Sequence, residues 1–510
     1  MTRSKAALAC VTILIQGCAS LPDRPELPVQ PAIAAGTDAP LDRAVSGVEA
    51  AHAGQSGFRL VIEGMEAFVI RMHSANQAAR SLDVQTYIWH ADATGRYLAQ
   101  VLLGAADRGV RVRLLVDDLD ARARSAGYGA LAAHPNIDVR LFNPFATRRG
   151  GLRLAGEGLR DFARINRRMH NKSWIADNRI ALVGGRNLGD EYFTASDEVN
   201  FVDLDFAMVG PVVRDVSVSF DRFWNSVSAW PIEALDASAG DAGALKRVRD
   251  ELDQFAAGAG QGRYAQALRA DDGIRRLVAG DWALRWSSKY RFLSDDPAKV
   301  TMQQKDASRA VVAAAVLAQL RGAQRSLEII SPYFVPGDAG SEVLLARAKA
   351  GADVQVLTNS LAANDVATVH GGYSRHRQAL LAGGVQLFEL KPLASQHSTS
   401  LAGSSGASLH TKALTSDGIS SFVGSYNLDP RSTWLNCEQG VLVDDVELSA
   451  QLSGIFRRQS SGDRAWKVAL EGKQLRWTDG DETHDSDPGA SGWSKFQAWF
   501  ARAFHLDAQL

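Results

Sequence analysis

The sequence predicts an α/β protein built by duplication: two α/β lobes with mixed sheets, related by pseudo-twofold symmetry around one shared site. Three observations carry this. Four segments recur in the same order, about 240 residues apart. Within each half, short β-branched apolar runs alternate with helical patterns. One H-x-K-x₄-D pattern falls in each half at the same place in the order.

The repeats align as follows. Arg80–Trp89 (RSLDVQTYIW) matches Arg325–Phe334 (RSLEIISPYF), and Arg108–Asp118 (RGVRVRLLVDD) matches Ala350–Ser360 (AGADVQVLTNS). Asn136–Pro144 (NIDVRLFNP) matches Gly383–Pro392 (GGVQLFELKP), and the stretch around His170 matches Leu409–Asn427. Continuous apolar strands between helices such as TGRYLAQVLLGAADRG call for sheets covered on both faces.

Around this body the chain divides into a leader (1–17), a proline-rich tether (18–54), a first lobe (55–227), a mainly helical inter-lobe segment (228–305), a second lobe (306–460) and a C-terminal tail (461–510). The leader has Arg3 and Lys5 before an apolar run too short to span a bilayer, the pattern of a secretory signal. Its end, IQGC, resembles a bacterial lipobox. That resemblance implies cleavage before Cys18 and a diacylglycerol on its sulfur. With Ala19 following, it also implies a periplasm-facing anchor in the cell envelope, at the outer membrane. Pro22, Pro25, Pro28, Pro31 and Pro40 suggest an extended spacer. Of three cysteines, Cys10 leaves with the leader and Cys18 is the lipidation site, so Cys437 has no intrachain partner.

A formal net charge of −1 offers no global field for nucleic acid, so any basic surface is local. Arg148–Lys172 is such a surface, with eight cationic side chains against Glu157 and Asp161; it would attract an anionic lipid surface or headgroup. Ser/Gly-rich Leu393–Ser408 reads as a loop next to His410 and a candidate lid. Asp479–Asp487 reads as a solvated acidic loop. Trp493, Phe496, Trp499 and Phe500 have helical spacing, which fits a docked terminal helix better than a membrane anchor.

The two patterns are His170, Lys172, Asp177, Gly184-Gly185-Arg186-Asn187 and His410, Lys412, Asp417, Gly424-Ser425-Tyr426-Asn427, with identical intervals. In an extended strand i and i+2 face the same side, so each histidine points with its lysine. The glycine turn leaves room for a phosphate to approach backbone and asparagine.

Both copies match the H-x-K-x₄-D-x₆-G-[GS]-x-N signature, and here the chain resembles the phospholipase D superfamily. Thr358–Pro392 looks in addition like lipoprotein-type bacterial cardiolipin synthases. The chemistry fits. One neutral imidazole attacks phosphorus and a second, protonated, gives its proton to the leaving alcohol's oxygen. Lys172, Lys412, Asn187 and Asn427 surround the phosphoryl oxygens, so neither metal nor other cofactor is needed. The resemblance assigns His170 as nucleophile and His410 as acid. Each imidazole also needs an acidic partner. Glu438 fits the second copy, and Asp205, with Asp203 as alternate, fits the first. Asp177 and Asp417 complete the motif, with a structural role as the alternative to a catalytic one. Tyr87, Tyr333, His90, His370 and Tyr373 are weaker cleft candidates that pack equally well. The expected partners are phospholipid substrates and a membrane surface, not nucleic acid. The expected reaction is phosphatidyl transfer through phosphohistidine, cardiolipin synthesis first. The alternatives are a hydrolytic phospholipase D and, from another class, a nuclease of the same superfamily.

Overall fold

The computed structural model describes residues 20–148, 152–302, 305–364, 366–394, 406–407 and 409–503. Cys18 and the leader lie outside the described residues, as does most of the Leu393–Ser408 loop.

Two sheets organise the chain. The first contains β1 (Ser56–Val61), β2 (Ser81–Thr86), β3 (Arg111–Asp117), β4 (Ile137–Phe142), β5 (Ser173–Ala176), β6 (Ile180–Gly184), β7 (Asp205–Val209), β8 (Ala229–Pro231) and β9 (Arg285–Ser287). Their order is β8-β4-β3-β2-β5-β6-β7-β1-β9. The second contains β10 (Tyr290–Ser294), β11 (Ser326–Ile330), β12 (Asp353–Asn359) and β13 (Gln386–Leu390). A ribbon of β14 (Leu393–Ala394) and β15 (Gly406–Ala407) interrupts it before β16 (Ala413–Ser416), β17 (Ser420–Gly424), β18 (Gln439–Asp444), β19 (Ala465–Glu471), β20 (Gln474–Thr478) and β21 (Thr483–His484). The order is β10-β18-β17-β16-β11-β12-β13-β19-β20-β21.

The duplication is visible strand by strand. β2, β3 and β4 pair in parallel, as do β11, β12 and β13. The motif hairpins β5–β6 and β16–β17 add antiparallel to β2 and β11. β7 then β1 close one side; β18 then β10 close the other.

Strand alternation sorts side chains between two layers. Ile180, Leu182, Ala207 and Val209 face an outer core with the helices Gly64–Gln77 and Ala93–Asp107. Ala181, Val183, Phe206 and Met208 face a central core shared by both lobes. There Val212, Val216, Phe220 and Trp224 of helix Pro211–Trp224 meet Leu448, Leu452, Ile455 and Phe456 of helix Val446–Gln459. The second lobe has its own outer core.

Three expected segments differ from the structure. The proline-rich stretch is bound along the first lobe rather than held off it. Arg24 donates to the carbonyls of Ala229 (3.0 Å) and Ser226 (3.1 Å), and Gln30 and Ala32 N–H donate to Asn225 and Asp221. Proline removes donors but leaves carbonyls and neighbouring polar side chains free to pair. Segment 228–305 does more than connect lobes: β8 and β9 extend the first sheet, β10 belongs to the second, and the crossing is at residues 288–289. The tail supplies β19–β21 to the second sheet and a helix, Gly492–Ala503, that packs on helix Ala367–Ala382.

Candidate active site

Each motif strand enters the centre by pairing with the other lobe. Met169 and Cys437 form a parallel bridge, with His170 N–H on the Cys437 carbonyl (2.8 Å) and Cys437 N–H on that of Arg168 (2.9 Å). Val202 and Leu409 form its counterpart, with His410 N–H on the Val202 carbonyl (2.9 Å). The ends of β3 and β12 fix these segments symmetrically: Asp117 accepts the Met169 N–H (2.8 Å), and Asn359 accepts the Leu409 N–H (3.0 Å).

This pairing decides the acids. His170 Nδ1 lies 2.9 Å from Glu438 and 3.1 Å from the Ser425 carbonyl. His410 Nδ1 lies 2.6 Å from Asp203. Each imidazole therefore takes its carboxylate from the opposite lobe. The expected pairing within a lobe is corrected: Glu438 serves His170, and Asp203 serves His410. Asp205 serves neither. Asp203 lies just before β7, whereas Asp205 is the first residue of that strand and pairs with Arg71 (3.0 Å) and Arg186 (3.4 Å).

Both carboxylates are fully buried. Burial pushes Glu438 up to about 7, against the opposing pull of Lys172 and a hydrogen bond from Ser425. Burial also raises Asp203, but His410, Lys412 and Arg186 outweigh it and hold that carboxyl below its ordinary value. The imidazoles are lowered. Burial, then Lys172 and Lys412, take His170 well below its usual value. Burial and Lys412 bring His410 to about 4, with Asp203 working the other way. Each histidine feels both lysines, which makes the two half-sites one electrostatic unit. Both lysines reach back to the carbonyl of their own histidine, Lys172 at 2.6 Å. Burial lowers Lys172 well below the ordinary lysine value.

The difference between Gly185 and Ser425 now has a cause. A Cβ at Gly185 would fall 2.2 Å from the Asp203 carboxylate, so a side chain there would displace the group that pairs with His410. In the other half Ser425 donates its hydroxyl to Glu438 (2.5 Å). Tyr87 packs edge-on to the His170 ring, 5.0 Å between centroids, with Lys172 Nζ 5.2 Å from its face. Tyr192 is likewise edge-on to His410 at 5.2 Å, and Phe201 stacks on that ring at 5.4 Å. Tyr192 also accepts a hydrogen bond from the Asn187 amide (2.8 Å). Asn427 Oδ1 is buried without a partner among the described residues. Tyr192, Phe201 and Ser425 were not singled out as site residues from sequence, although the Gly185/Ser425 mismatch was the available signal.

Asp177 and Asp417 do not touch either imidazole. At positive φ in the hairpin turns, they accept the backbone N–H groups that open β2 and β11: Ala79, Arg80 and Ser81 on Asp177, Gln324, Arg325 and Ser326 on Asp417. They clamp hairpin to sheet. Asp177→Ala is therefore expected to cost about 2–4 kcal/mol of stability by stranding buried donors. The folded fraction should keep most of its turnover; denaturant melts paired with kcat per folded enzyme test this.

His90 bonds Glu191 (3.0 Å) and lines a cavity of about 520 Å³. Trp89, Tyr128, Leu131, Leu252 and Phe255 form its apolar wall, and Arg96 and Arg124 add cations. His370, Tyr373 and Arg377 sit instead in a buried network with Glu389 and Asp487. The basic stretch is largely committed internally: Arg148 to Asp118, Arg164 to Glu157, Arg168 to Asp117, and Arg167 to the Lys299 and Met302 carbonyls. It is less available to an anionic surface than its composition suggests.

Two H-x-K half-sites that lend each other their acids define a phosphodiester-transfer enzyme of the phospholipase D type. The comparisons agree. Residues 72–224 and 316–460 match the family described as cardiolipin synthase, PLD-like domain. The chain is 42% identical to cardiolipin synthase C of Escherichia coli (strain K12) over 87% of its length and 94% of that protein's. It is 26% identical to cardiolipin synthase A of Pseudomonas syringae pv. syringae (strain B728a) over 78% of this chain and 67% of that one. Among solved structures, the phosphatidylserine synthase of Haemophilus influenzae Rd KW20 superposes with a TM-score of 0.58 at 13% identity, over 92% of this chain and all of that one, which shows a common fold. The chain belongs to the phospholipase D-like cardiolipin synthase family.

Proposed function

We propose that this protein makes cardiolipin by moving a phosphatidyl group through His170 onto a hydroxyl of phosphatidylglycerol. The crossed acid pairing carries the reading, because it makes the two histidines unequal. Ionised Asp203 at 2.6 Å favours a proton on His410, the acid's requirement, more than Glu438, poised near 7, favours one on His170. With Nδ1–H given to Glu438, His170 Nε2 attacks phosphorus. The P–O bond to the donor's alcohol breaks, and His410 protonates the departing oxygen. The acceptor hydroxyl then gives its proton to His410 and attacks, breaking the P–N bond and restoring His170. Lys172, Lys412, Asn187 and Asn427 offset charge on the phosphoryl oxygens.

The cavity beside Trp89, with its apolar wall, supports a lipid substrate. So do the names of the relatives. Purified protein in liposomes of phosphatidylethanolamine and phosphatidylglycerol, followed by mass spectrometry, tests it. Cardiolipin is expected; phosphatidic acid alone in every lipid mixture would make the protein a hydrolase. Turnover should also persist in EDTA, since cations are already supplied by two lysines. A loss that only a divalent ion restores would overturn this mechanism.

We further propose that Cys18 carries a lipid anchor in the cell envelope, at the outer membrane. Among the described residues no helix is long and apolar enough to cross a bilayer. Cys18→Ser is expected to abolish palmitate labelling and to shift protein out of the membrane fraction. Unchanged labelling would remove the anchor from the scheme.

A further inference from the structure

The helix Gly492–Ala503 is two-faced in an unusual sense. Its small residues face the protein and its large apolar residues face out. Ala498 and Ala501 are buried, and Ala498 clusters with Leu361 and Ala367. A Cβ at Gly371 would fall 2.4 Å from the Ala498 carbonyl oxygen and 3.0 Å from the Ala501 Cβ, so the two helices nearly touch backbone to backbone. At about 100° per residue the opposite side presents Trp493, Phe496, Trp499 and Phe500. They are 66%, 49%, 52% and 40% exposed. Their rings stack on one another, with Phe496 5.5 Å from Trp493, 6.1 Å from Trp499 and 6.3 Å from Phe500. Docking alone accounts for the alanine face and leaves the aromatic face unexplained. A contiguous patch of large apolar side chains is costly in water unless something covers it.

Charge and position say what covers it. Lys495 and Arg502, seven residues apart, share one flank, and the helix has no acidic residue. The acidic run beside it is mostly neutralised: Asp479 pairs with Lys391 (2.6 Å), Asp487 with Arg377 (2.9 Å), and Asp485 with Arg476. The helix lies at the site end of the second sheet. Asn359, the last residue of β12, holds the Leu409 backbone beside His410, and Leu361, two residues on, is under Ala498. Aromatic rings flanked by cations on a helix parallel to the surface suit the interface of an anionic bilayer.

We infer that Gly492–Ala503 is a docking surface for an anionic phospholipid bilayer, seating its four rings among the headgroups and turning the site end of the second lobe toward the membrane. The inference rests on the phospholipid reading for its biological sense, but its test does not require turnover. The full-length Cys18→Ser chain is used, so that no lipid on that residue contributes, with vesicles of phosphatidylglycerol and phosphatidylethanolamine. Trp493→Ser/Phe496→Ser/Trp499→Ser is expected to lower vesicle partition roughly a hundredfold. Turnover of short-chain phosphatidylglycerol dispersed as monomers should not change. Trp493→Phe/Trp499→Phe keeps apolar rings in place and guards against a folding defect. It should retain partition while losing the tryptophan quenching by brominated lipid expected of the parent.

Unchanged partition in the serine variant, or unchanged quenching in the phenylalanine variant, overturns the inference. A smaller sedimenting species with unaltered partition also overturns it and assigns the face to a second copy of the chain. A parent that binds vesicles through these rings yet makes no cardiolipin would overturn the proposed function and leave the docking surface standing.

Discussion

His170→Ala is expected to reduce phosphatidyl transfer by about 10⁴-fold or more, because the proposed mechanism loses its nucleophile. His410→Ala should leave a slower but finite formation of the intermediate. It removes a proton donor, an effect of about 10²–10⁴-fold, and spares the nucleophile. The test is a quench of the reaction with labelled donor, followed by peptide mapping under conditions that preserve a phosphoramidate. Label on a peptide containing His170 in the parent, and its slow appearance in His410→Ala, is the expected pattern. Label on a peptide containing His410 reverses the two roles without altering the geometry.

Glu438→Gln and Asp203→Asn are expected to separate the two chemical steps across the lobe boundary. Glu438→Gln should impair attack by His170, since an amide can present its NH₂ to Nδ1 and drive the proton onto Nε2. Asp203→Asn should impair protonation of the leaving group by His410 and spare the nucleophile. Losses of about 10³–10⁴-fold are reasonable for either, by analogy with the carboxylate of a serine-protease triad. The pH profile adds a second readout. Glu438, pushed up to about 7, is protonated below that pH. In that state it can donate to Nδ1, leaving the proton on Nε2 and the imidazole unable to attack. Activity should therefore rise with pH through about 7, and that limb should vanish in Glu438→Gln. Asp205→Asn is the control. It should cost stability through Arg71 and Arg186 and leave the pH limb in place. Loss of the limb in Asp205→Asn, with the limb intact in Glu438→Gln, would restore the pairing within each lobe.

The two motifs, their lysines and the order of the strands were legible because duplication writes them twice. Asp203 was harder to assign. It and Asp205 stand two apart on one extended segment, and proximity in sequence favoured a partner for the nearer histidine. What separates them is the bridge between Val202 and Leu409, a contact over 207 residues that no local pattern encodes. The sheet strands at 285–294 and 465–484 were missed for a related reason. They have no counterparts in the four aligned segments, and pairing partners such as Val443 for Tyr290 lie far along the chain. The basic run before His170 misled in the other direction. Composition counts charges, whereas Asp117, Asp118 and Glu157 had already claimed Arg168, Arg148 and Arg164.

The crossed loan of carboxylates also bears on how such a chain can change over time. Duplicated genes ordinarily drift apart, one copy free to decay while the other works. Here neither half has that freedom. A first lobe that lost His170 would still be required for Asp203, without which His410 has no counter-charge; a second lobe that lost His410 would still be required for Glu438. Separately expressed halves should each be inert, and mixing them should restore activity only in proportion to their association. The interlock turns a tandem repeat into a single heritable unit.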